Sequence, residues 1–417
     1  GLFTPPPPAE DDPRFPFLGG AVGYFGYELA WILEERLRFE NTNDLDMPDL
    51  ALSFVDRVLA YDHEAEQLWV VGLGFGDGRR SGSEDAPTGE GPRATAVARS
   101  RHVVDDVAAR VEWILSEGPR MPASTAGSDA KLGAQSGLAE SSSSSPDDVE
   151  DAARGLTMVS TADPSAYSKA VDRVLEEIAA GNVYQANFSQ RLTVAAPVDP
   201  WALYRSLRRN NPAPFGAFLE LPELSILSSS PERFLRVDES RHVESRPIKG
   251  TRPRGDEAAA DERLAKELAA SVKDRAENLM IVDLVRNDLG RVCTPGSIEV
   301  PELMKIEAYA AVFQMVSTVT GELATGRDAF DLIRATFPPG SMTGAPKIAS
   351  MELIEKLESV RRGVYAGALG YFDLRGGLDL SVVIRTLVWK DDEAHLHVGG
   401  GIVADSTPEA EYLESLD

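Results

Sequence analysis

Lys347-Ile348-Ala349-Ser350-Met351-Glu352-Leu353-Ile354-Glu355-Lys356-Leu357, with the residues that follow it up to Val403, decides the fold class. Ile348, Met351, Ile354 and Leu357 recur at helical spacing and make one apolar stripe, and Pro346 suits a first turn. The period then changes, and Tyr365 to Phe372, Leu380 to Trp389 and His395 to Val403 read as strands. Upstream, Asp328 to Thr336 reads as a helix and Asp256 to Leu289 as a long helical stretch of mixed charge. Phe215 to Leu221, Ser225 to Ser229 and Arg233 to Val237 read as strands, and Ser165 to Ala180 as a helix ended by Gly181. Helices interspersed with antiparallel strands point to an α+β class.

The chain changes character before residue 157. Residues 16–73 alternate short apolar runs with turns, as in Ala51 to Val55 and Leu68 to Val71. Residues 75–98, rich in Gly, Ser, Arg and Glu, read as a flexible insertion, and 118–156, with the run Ser141 to Ser145, as a Ser/Gly-rich linker. Between them Val104, Val107, Val111 and Ile114 or Leu115 carry helical spacing over Val103 to Leu115. Pro5 to Pro8 favour extended structure. With 67 acidic against 42 basic residues the formal net charge is −25, which repels phosphate backbones and anionic membranes. The expectation is no nucleic-acid and no membrane partner; an anionic substrate needs a local positive pocket or a metal ion. The single Cys293 excludes an intrachain disulfide and suits a reducing compartment. No apolar run reaches membrane-spanning length and Gly1 to Glu10 is no signal peptide, so a cytoplasmic location is expected.

Several residues can carry chemistry. Asp274 and Glu277 are three apart in a helical stretch, and Glu411 and Glu414 repeat that spacing after Ser406, Pro408 and Glu409, which match a capping box with Pro in the first turn. Brought face to face, the pairs make an oxygen-rich site suited to Mg2+; left apart, they are solvated acidic faces. Lys249 lies among Arg246, Arg252 and Arg254. A lysine amine is nucleophilic only when neutral and its reference pKa is about 10.4, so burial or these cations must lower it; otherwise the loop is a basic offset to an acidic surface. Glu232 is a general acid if buried, or a partner of Arg233 or Arg246. Arg385, in the apolar run Val382 to Thr386, needs a carboxylate, from substrate or protein. Gly399-Gly400-Gly401 admits a ligand or a bulge, and Gly340 to Lys347 opens a helix whose N–H groups can bind a carboxylate. Gly19 to Glu28 lacks the lysine of a phosphate loop, which favours close backbone packing there.

Their order along the chain is more specific than any one of them. Gly-Asn-Val-Tyr-Gln-Ala-Asn-Phe-Ser-Gln (181–190), Ser-Ser-Pro-Glu-Arg-Phe (229–234), Arg-Pro-Ile-Lys-Gly-Thr (246–251), Ala-Glu-Asn-Leu-Met-Ile-Val-Asp-Leu-Val-Arg-Asn-Asp-Leu-Gly (276–290), Pro-Gly-Ser-Met-Thr-Gly-Ala-Pro-Lys (339–347), Arg-Arg-Gly-Val-Tyr (361–365), Ile-Arg-Thr (384–386) and Gly-Ile-Val-Ala-Asp-Ser (401–406) follow one another. The series resembles the chorismate-utilising enzymes, a family that includes the large components of anthranilate and aminodeoxychorismate synthases, isochorismate synthases and salicylate synthases. The likeness covers most of 157–417 and the Gly19 to Glu28 motif. It implies two large, mostly antiparallel β-sheets packed as a sandwich with helices outside, and Mg2+-dependent chemistry on chorismate. It also implies three parts: an N-terminal region, 1–117, that is incomplete against the family and contributes to the first sheet; the 118–156 linker; and a chorismate-binding catalytic domain, 157–417.

Residue by residue, the resemblance makes Glu277 and Glu414 direct metal ligands and Asp274 and Glu411 their supporting acids. Thr343, Tyr365, Arg385, Gly399 and Gly401 match positions that hold the substrate's carboxylates and ring, and Gly250 and Thr251 fall beside the reacting carbons. Members that add water carry a lysine where this chain has Gln185, and anthranilate synthases typically have Ala where it has Lys249. The pattern is similar to that of the aminodeoxychorismate branch, which implies Lys249 as nucleophile at C2, Glu232 as proton donor to the C4 hydroxyl, and ammonia from a glutamine amidotransferase, separate or fused. The alternatives are amination at C2, as in anthranilate synthase, and a non-catalytic chorismate-binding member. Two departures bear on the site: Gln314 stands where many relatives place a histidine, and the sequence stops at Asp417, where relatives place a substrate-binding lysine.

Overall fold

The computed structural model describes residues 15–74, 92–117, 157–255 and 257–416. The expected extended start at Pro5 to Pro8, the 118–156 linker and most of the 75–98 insertion lie outside the described residues; 92–98 instead begin the helix Pro92–Glu117, which starts eleven residues before the Val103 expected from spacing. The chain divides into two compact units whose limits differ from the expected breaks at 117 and 157. The smaller comprises Gly1–Val22, Ser53–Ser142 and Tyr371–Arg375, and the larger comprises Gly23–Leu52, Ser143–Gly370 and Gly376–Asp417. No helix among the described residues is long and apolar enough to cross a membrane.

In the smaller unit the strands Arg57–Asp62 and Gln67–Gly72 form an antiparallel hairpin. Its Gly72 lets the helix approach closely: a Cβ there would stand 2.9 Å from Val104 Cγ2.

The larger unit is the α+β sandwich that the sequence implies. A seven-stranded sheet runs Gly344–Ala345, Gln185–Ala195, Glu393–Ile402, Thr386–Lys390, Ser225–Ser230 and Phe215–Glu220, with Val159–Ser160 added beside Gln185–Ala195. In the nine-stranded sheet, Ile248–Pro253, Val312–Glu322, His242–Arg246, Arg233–Val237 and Leu378–Val382 lie in that order; the parts of Ala368–Asp373, Gly20–Phe25 and Leu50–Val55 that belong to this unit continue it, and Glu299–Ala308 pairs with Val312–Glu322. Between the sheets, Tyr24 and Leu369 of the larger meet Ile226 and Val388 of the smaller in one buried cluster with Met47, Val364 and Val383. On the outer face of the seven-stranded sheet, Tyr167, Val171 and Val174 from the helix Pro164–Ala179, and Leu353 and Ile354 from Lys347–Leu357, cover Ala186, Phe188 and Ile402. Burying these apolar stripes removes water from both elements and is the main drive for their docking.

Three local readings change. The stretch Asp256 to Leu289 is two helices, Ala258–Ala270 and Val272–Gly290, because Ser271 takes extended backbone and its hydroxyl caps the second by accepting from Asp274 N. Leu380 to Trp389 is two strands in different sheets. Thr407, not Ser406, is the N-cap of the last helix, Pro408–Glu414. Ser406 instead accepts from Val403 N at 3.0 Å and donates to Glu411 at 2.6 Å. The Gly19 to Glu28 motif contains a strand, not a phosphate loop: a Cβ on Gly23 would meet the Ala51 carbonyl at 1.9 Å, and the buried Glu28 accepts from the backbone N–H groups of Arg362 and Gly363.

Candidate active site

The site is built where the chain changes sheets. Ser225–Ser230 belongs to the seven-stranded sheet and Arg233–Val237 to the nine-stranded one, so Pro231 and Glu232 make a crossing. Leu378–Val382 and Thr386–Lys390 cross the other way through Val383, Ile384 and Arg385. The crossings are laced together. Ser230 Oγ donates to the Val382 carbonyl at 2.5 Å, Val382 N to the Glu232 carbonyl at 3.0 Å, and Ser229 N to the Arg385 carbonyl at 3.0 Å. These bonds satisfy backbone groups that lose ladder partners at a sheet change. Arg385, expected within a strand, sits at this bend with φ +50°, a left-handed conformation uncommon for a side-chain-bearing residue.

At the first crossing Glu232 is 4% exposed, and burial pushes its carboxyl up to about 7. The Ser341 hydroxyl, the Lys249 charge, the Ile248 N–H and the Arg385 charge act in the opposite direction. Glu232 and Ser341 line one cavity with Pro247, Gly340 and Val382. A carboxyl poised near 7 is suited to general acid catalysis at neutral pH. Of the alternatives for Glu232, pairing with Arg233 does not occur, since Arg233 is held by Asp379 and Glu244. Burial lowers the pKa of Arg385, and the Glu232 charge opposes that.

Lys249 arrives from a third direction. Ile248 pairs with Val316 but Thr251 with Gln314, one residue out of step, so a bulge falls on Lys249 and Gly250. Gly250 takes φ +91°, and a Cβ on it would stand 2.9 Å from Asp274 Cβ and Cγ. Only glycine combines that backbone with that approach. The bulge re-aims Lys249, whose charge lowers both Glu232 and Glu277 against their burial. Its Nζ also flanks the glycine run: a Cβ on Gly401 would lie 3.5 Å from Lys249 Nζ and 1.9 Å from Gln185 Nε2. The neighbouring arginines are not free to act on Lys249 as expected. Arg246 pairs with Glu307 at 2.5 Å, Arg252 with Glu267 at 3.0 Å and Asp274 at 3.2 Å, and Arg254 with Asp261 at 2.6 Å. Their charges are offset where they stand.

One lysine, Lys273, stands between the two acid pairs. Helix Val272–Gly290 is tied to the strand Val312–Glu322 by buried Asn278, which donates to the Met315 carbonyl at 3.2 Å and accepts from Ser317 Oγ at 2.5 Å. Glu277 raises its pKa chiefly through burial, and among its charged neighbours are Lys249, Lys273, Asp274 and Glu411. Lys273 Nζ lies 3.6 Å from Glu411 and 4.0 Å from Glu277. Burial opposes its charge, yet Glu411, Glu277, Glu414 and Asp274 together hold its pKa above the ordinary value. Among the described residues no three His, Cys, Asp or Glu side chains stand already gathered as a metal-ligand set. The donor chemistry suits a hard divalent cation: Asp274, Glu277, Glu411 and Glu414 are all oxygen donors, and each acts on the Lys273 ammonium by its charge.

The remaining expected residues pack more than they point. Thr343 is buried and its hydroxyl donates to the Gly340 carbonyl at 3.3 Å. Tyr365 is stacked on His397 at 4.9 Å and bonded to the Asn187 and Ser189 side chains. A Cβ on Gly399 would meet the Phe188 carbonyl at 2.1 Å, so Gly399 permits a close strand pair. Thr251 is exposed, and Glu414 is exposed while its companion Glu411 is buried. Gln185 and Gln314 are each 1% exposed, with an Oε1 that has no partner. Sequence reasoning missed Ser341 and Lys273; the first lay inside the quoted 339–347 series, and the second stands four residues before Glu277, the spacing of a helical ion pair.

Known proteins give the arrangement a context. A family model described as chorismate binding enzyme matches residues 4–417. The aminodeoxychorismate synthase of Streptomyces pristinaespiralis is 42% identical over 402 residues, 96% of this chain and 50% of that protein. The aminodeoxychorismate synthase component 1 of Salmonella typhimurium is 39% identical over 415 residues, covering 100% of this chain and 77% of its own length. The chain thus spans half the length of the Streptomyces relative and about three quarters of the Salmonella one. Among solved structures, anthranilate synthase component I from Streptococcus pneumoniae superposes with a TM-score of 0.76 at 29% identity, over 98% of this chain and 81% of that one.

Proposed function

The chain belongs to the chorismate binding enzyme family, and on that premise we propose that it aminates chorismate at C4, giving 4-amino-4-deoxychorismate. The observation that carries this reading is the bulged Lys249, whose charge acts on both Glu232 and Glu277. The names of the Streptomyces and Salmonella relatives support it.

Glu277 and Glu414, with Asp274 and Glu411 in support, would hold Mg2+, which would supply Lewis acidity toward a substrate carboxylate. Arg385 offers a second positive group to the substrate. The Lys249 Nζ lone pair forms a bond to C2 while Glu232 gives its proton to the C4 hydroxyl, which leaves as water as the two ring double bonds shift. Ammonia then bonds to C4, the double bonds return, and the C2–Nζ bond breaks. The extra proton on the new C4 ammonium restores Glu232, so the cycle balances. Gln185 holds the place of a water-activating lysine with an amide that has no basic nitrogen, which favours ammonia over water as the second nucleophile. Ammonia comes from a glutamine amidotransferase, in keeping with the component 1 name of the Salmonella relative. The setting is cytoplasmic, with neither nucleic acid nor membrane as partner.

The competing reading is amination at C2, the reaction named for the Streptococcus neighbour. Incubation with chorismate, Mg2+ and an ammonium salt decides: 4-amino-4-deoxychorismate is expected from the wild type, with at least a ~100-fold loss for Lys249→Ala. Fluorescent anthranilate as the product, or full C4 amination by Lys249→Ala without added amine, overturns the proposal.

A further inference from the structure

We propose that Lys273 is the resident counter-cation of the carboxylate quartet and must leave for a divalent ion to enter, so that this one side chain sets the metal affinity. The inference rests on the Mg2+ reading above and concerns how the protein holds the site before the metal arrives.

Local helix energetics do not account for Lys273. It occupies the first turn of Val272–Gly290, where the helix dipole disfavours a cation. It also precedes Glu277 in sequence, the weaker orientation for a pair four residues apart. Its attraction is to the other side of the site, to Glu411 at the far end of the chain. At 3.6 and 4.0 Å the contacts are longer than a hydrogen bond, so the ammonium is held by charge alone.

Two of the carboxylates around it have other partners. Glu411 is 3% exposed and takes the Ser406 hydroxyl at 2.6 Å; Asp274 takes Arg252 at 3.2 Å. Glu277 is followed in its helix by Asn278, which is bonded to the strand Val312–Glu322. Lys273 can withdraw: its side chain is 45% exposed, on a four-carbon stem that can swing into solvent. A divalent ion that needs short, direct carboxylate contacts cannot share the quartet with an ammonium already among them, so entry exchanges one cation for the other. The acids then keep a cation among them in both states, and Mg2+ gains only the difference between its attraction and that of Lys273.

Calorimetric titration of Mg2+ into the full chain tests this, with wild type, Lys273→Gln and Lys273→Arg. Removing the competing charge is expected to tighten Mg2+ binding by about tenfold in Lys273→Gln. Lys273→Arg, which keeps a cation, should bind no more tightly than wild type. In parallel, the metal-free Gln variant should melt below wild type, and saturating Mg2+ should close that gap. That second readout holds even if the metal-free variant is too unstable to titrate, since it then folds only with the ion. Equal or weaker binding by Lys273→Gln overturns the role of Lys273 while leaving the metal site standing. Absence of Mg2+ binding by both wild type and the Gln variant removes the metal reading itself, and this inference with it.

Discussion

Glu232 concentrates the chemistry in one proton. Burial lifts it from an ordinary 4.5 to about 7, against the pull of Ser341, Lys249 and Arg385. As a proton donor it works in its neutral form, so turnover should fall as pH rises through about 7, and a pH–rate profile for Glu232→Gln should lose that limb together with about a hundredfold or more of the rate. The linkage to folding runs the same way. A carboxyl whose folded pKa is raised contributes stability that is fully present below 4.5 and is lost as the pH climbs through about 7. Lys249, Glu232 and the acid pairs could be singled out as candidates in the sequence because each sits in a short, ordered motif. Ser341 and Lys273 were not, since their roles arise only from side chains far away in sequence. Arg385 was legible as a residue and misplaced as an element, because an apolar run has no mark that says where it leaves one sheet for another.

At the scale of elements, the bulge at Lys249 and Gly250 is the feature on which the site turns. Gly250→Ala would put a Cβ 2.9 Å from Asp274 and from Leu268 Cδ1 at a backbone angle of φ +91°. A cost of about 2 kcal/mol follows from the backbone alone, with the clash added to it. The expected outcome is a lower urea midpoint together with a loss of activity larger than the loss of folded protein, because relief of the clash moves both Asp274 and Lys249. An active, fully stable Gly250→Ala protein would show that the bulge is incidental. Helices and strands were mostly readable from period and capping residues, as at Lys347–Leu357. The break at Ser271 was missed because apolar and charged residues run on without interruption, while the cap itself is one hydroxyl reaching Asp274 N. The bulge was unreadable for a related reason: register depends on the partner strand, and Gln314 is 63 residues further along.

Across the larger unit, a buried ion pair joins segments that the sequence keeps apart. Arg362 and Glu358 are 1% and 5% exposed, 2.6 Å apart. Between them they bond to Asn187, Ser189 and Met342, and Arg362 lies 4.6 Å over the Tyr27 ring. Glu358→Ala leaves a buried guanidinium without its carboxylate and should cost roughly 3–5 kcal/mol in urea unfolding, with part recovered when Arg362→Met is added. A Glu358→Ala protein as stable as wild type would mean that water reaches the pair. The two-sheet class was readable from the order of motifs; the way the sheets exchange strands was not, since it is a property of topology and not of any window. That exchange has a thermodynamic consequence. Glu232 and Arg385 sit on peptide links that are anchored in both sheets and bonded to each other. A catalytic pocket carried on a detachable lid can fray while its scaffold persists; this one has no such independent melting. Glu232 and Arg385 lose their alignment only when the two sheets separate, so their geometry and the fold of the larger unit form a single cooperative block.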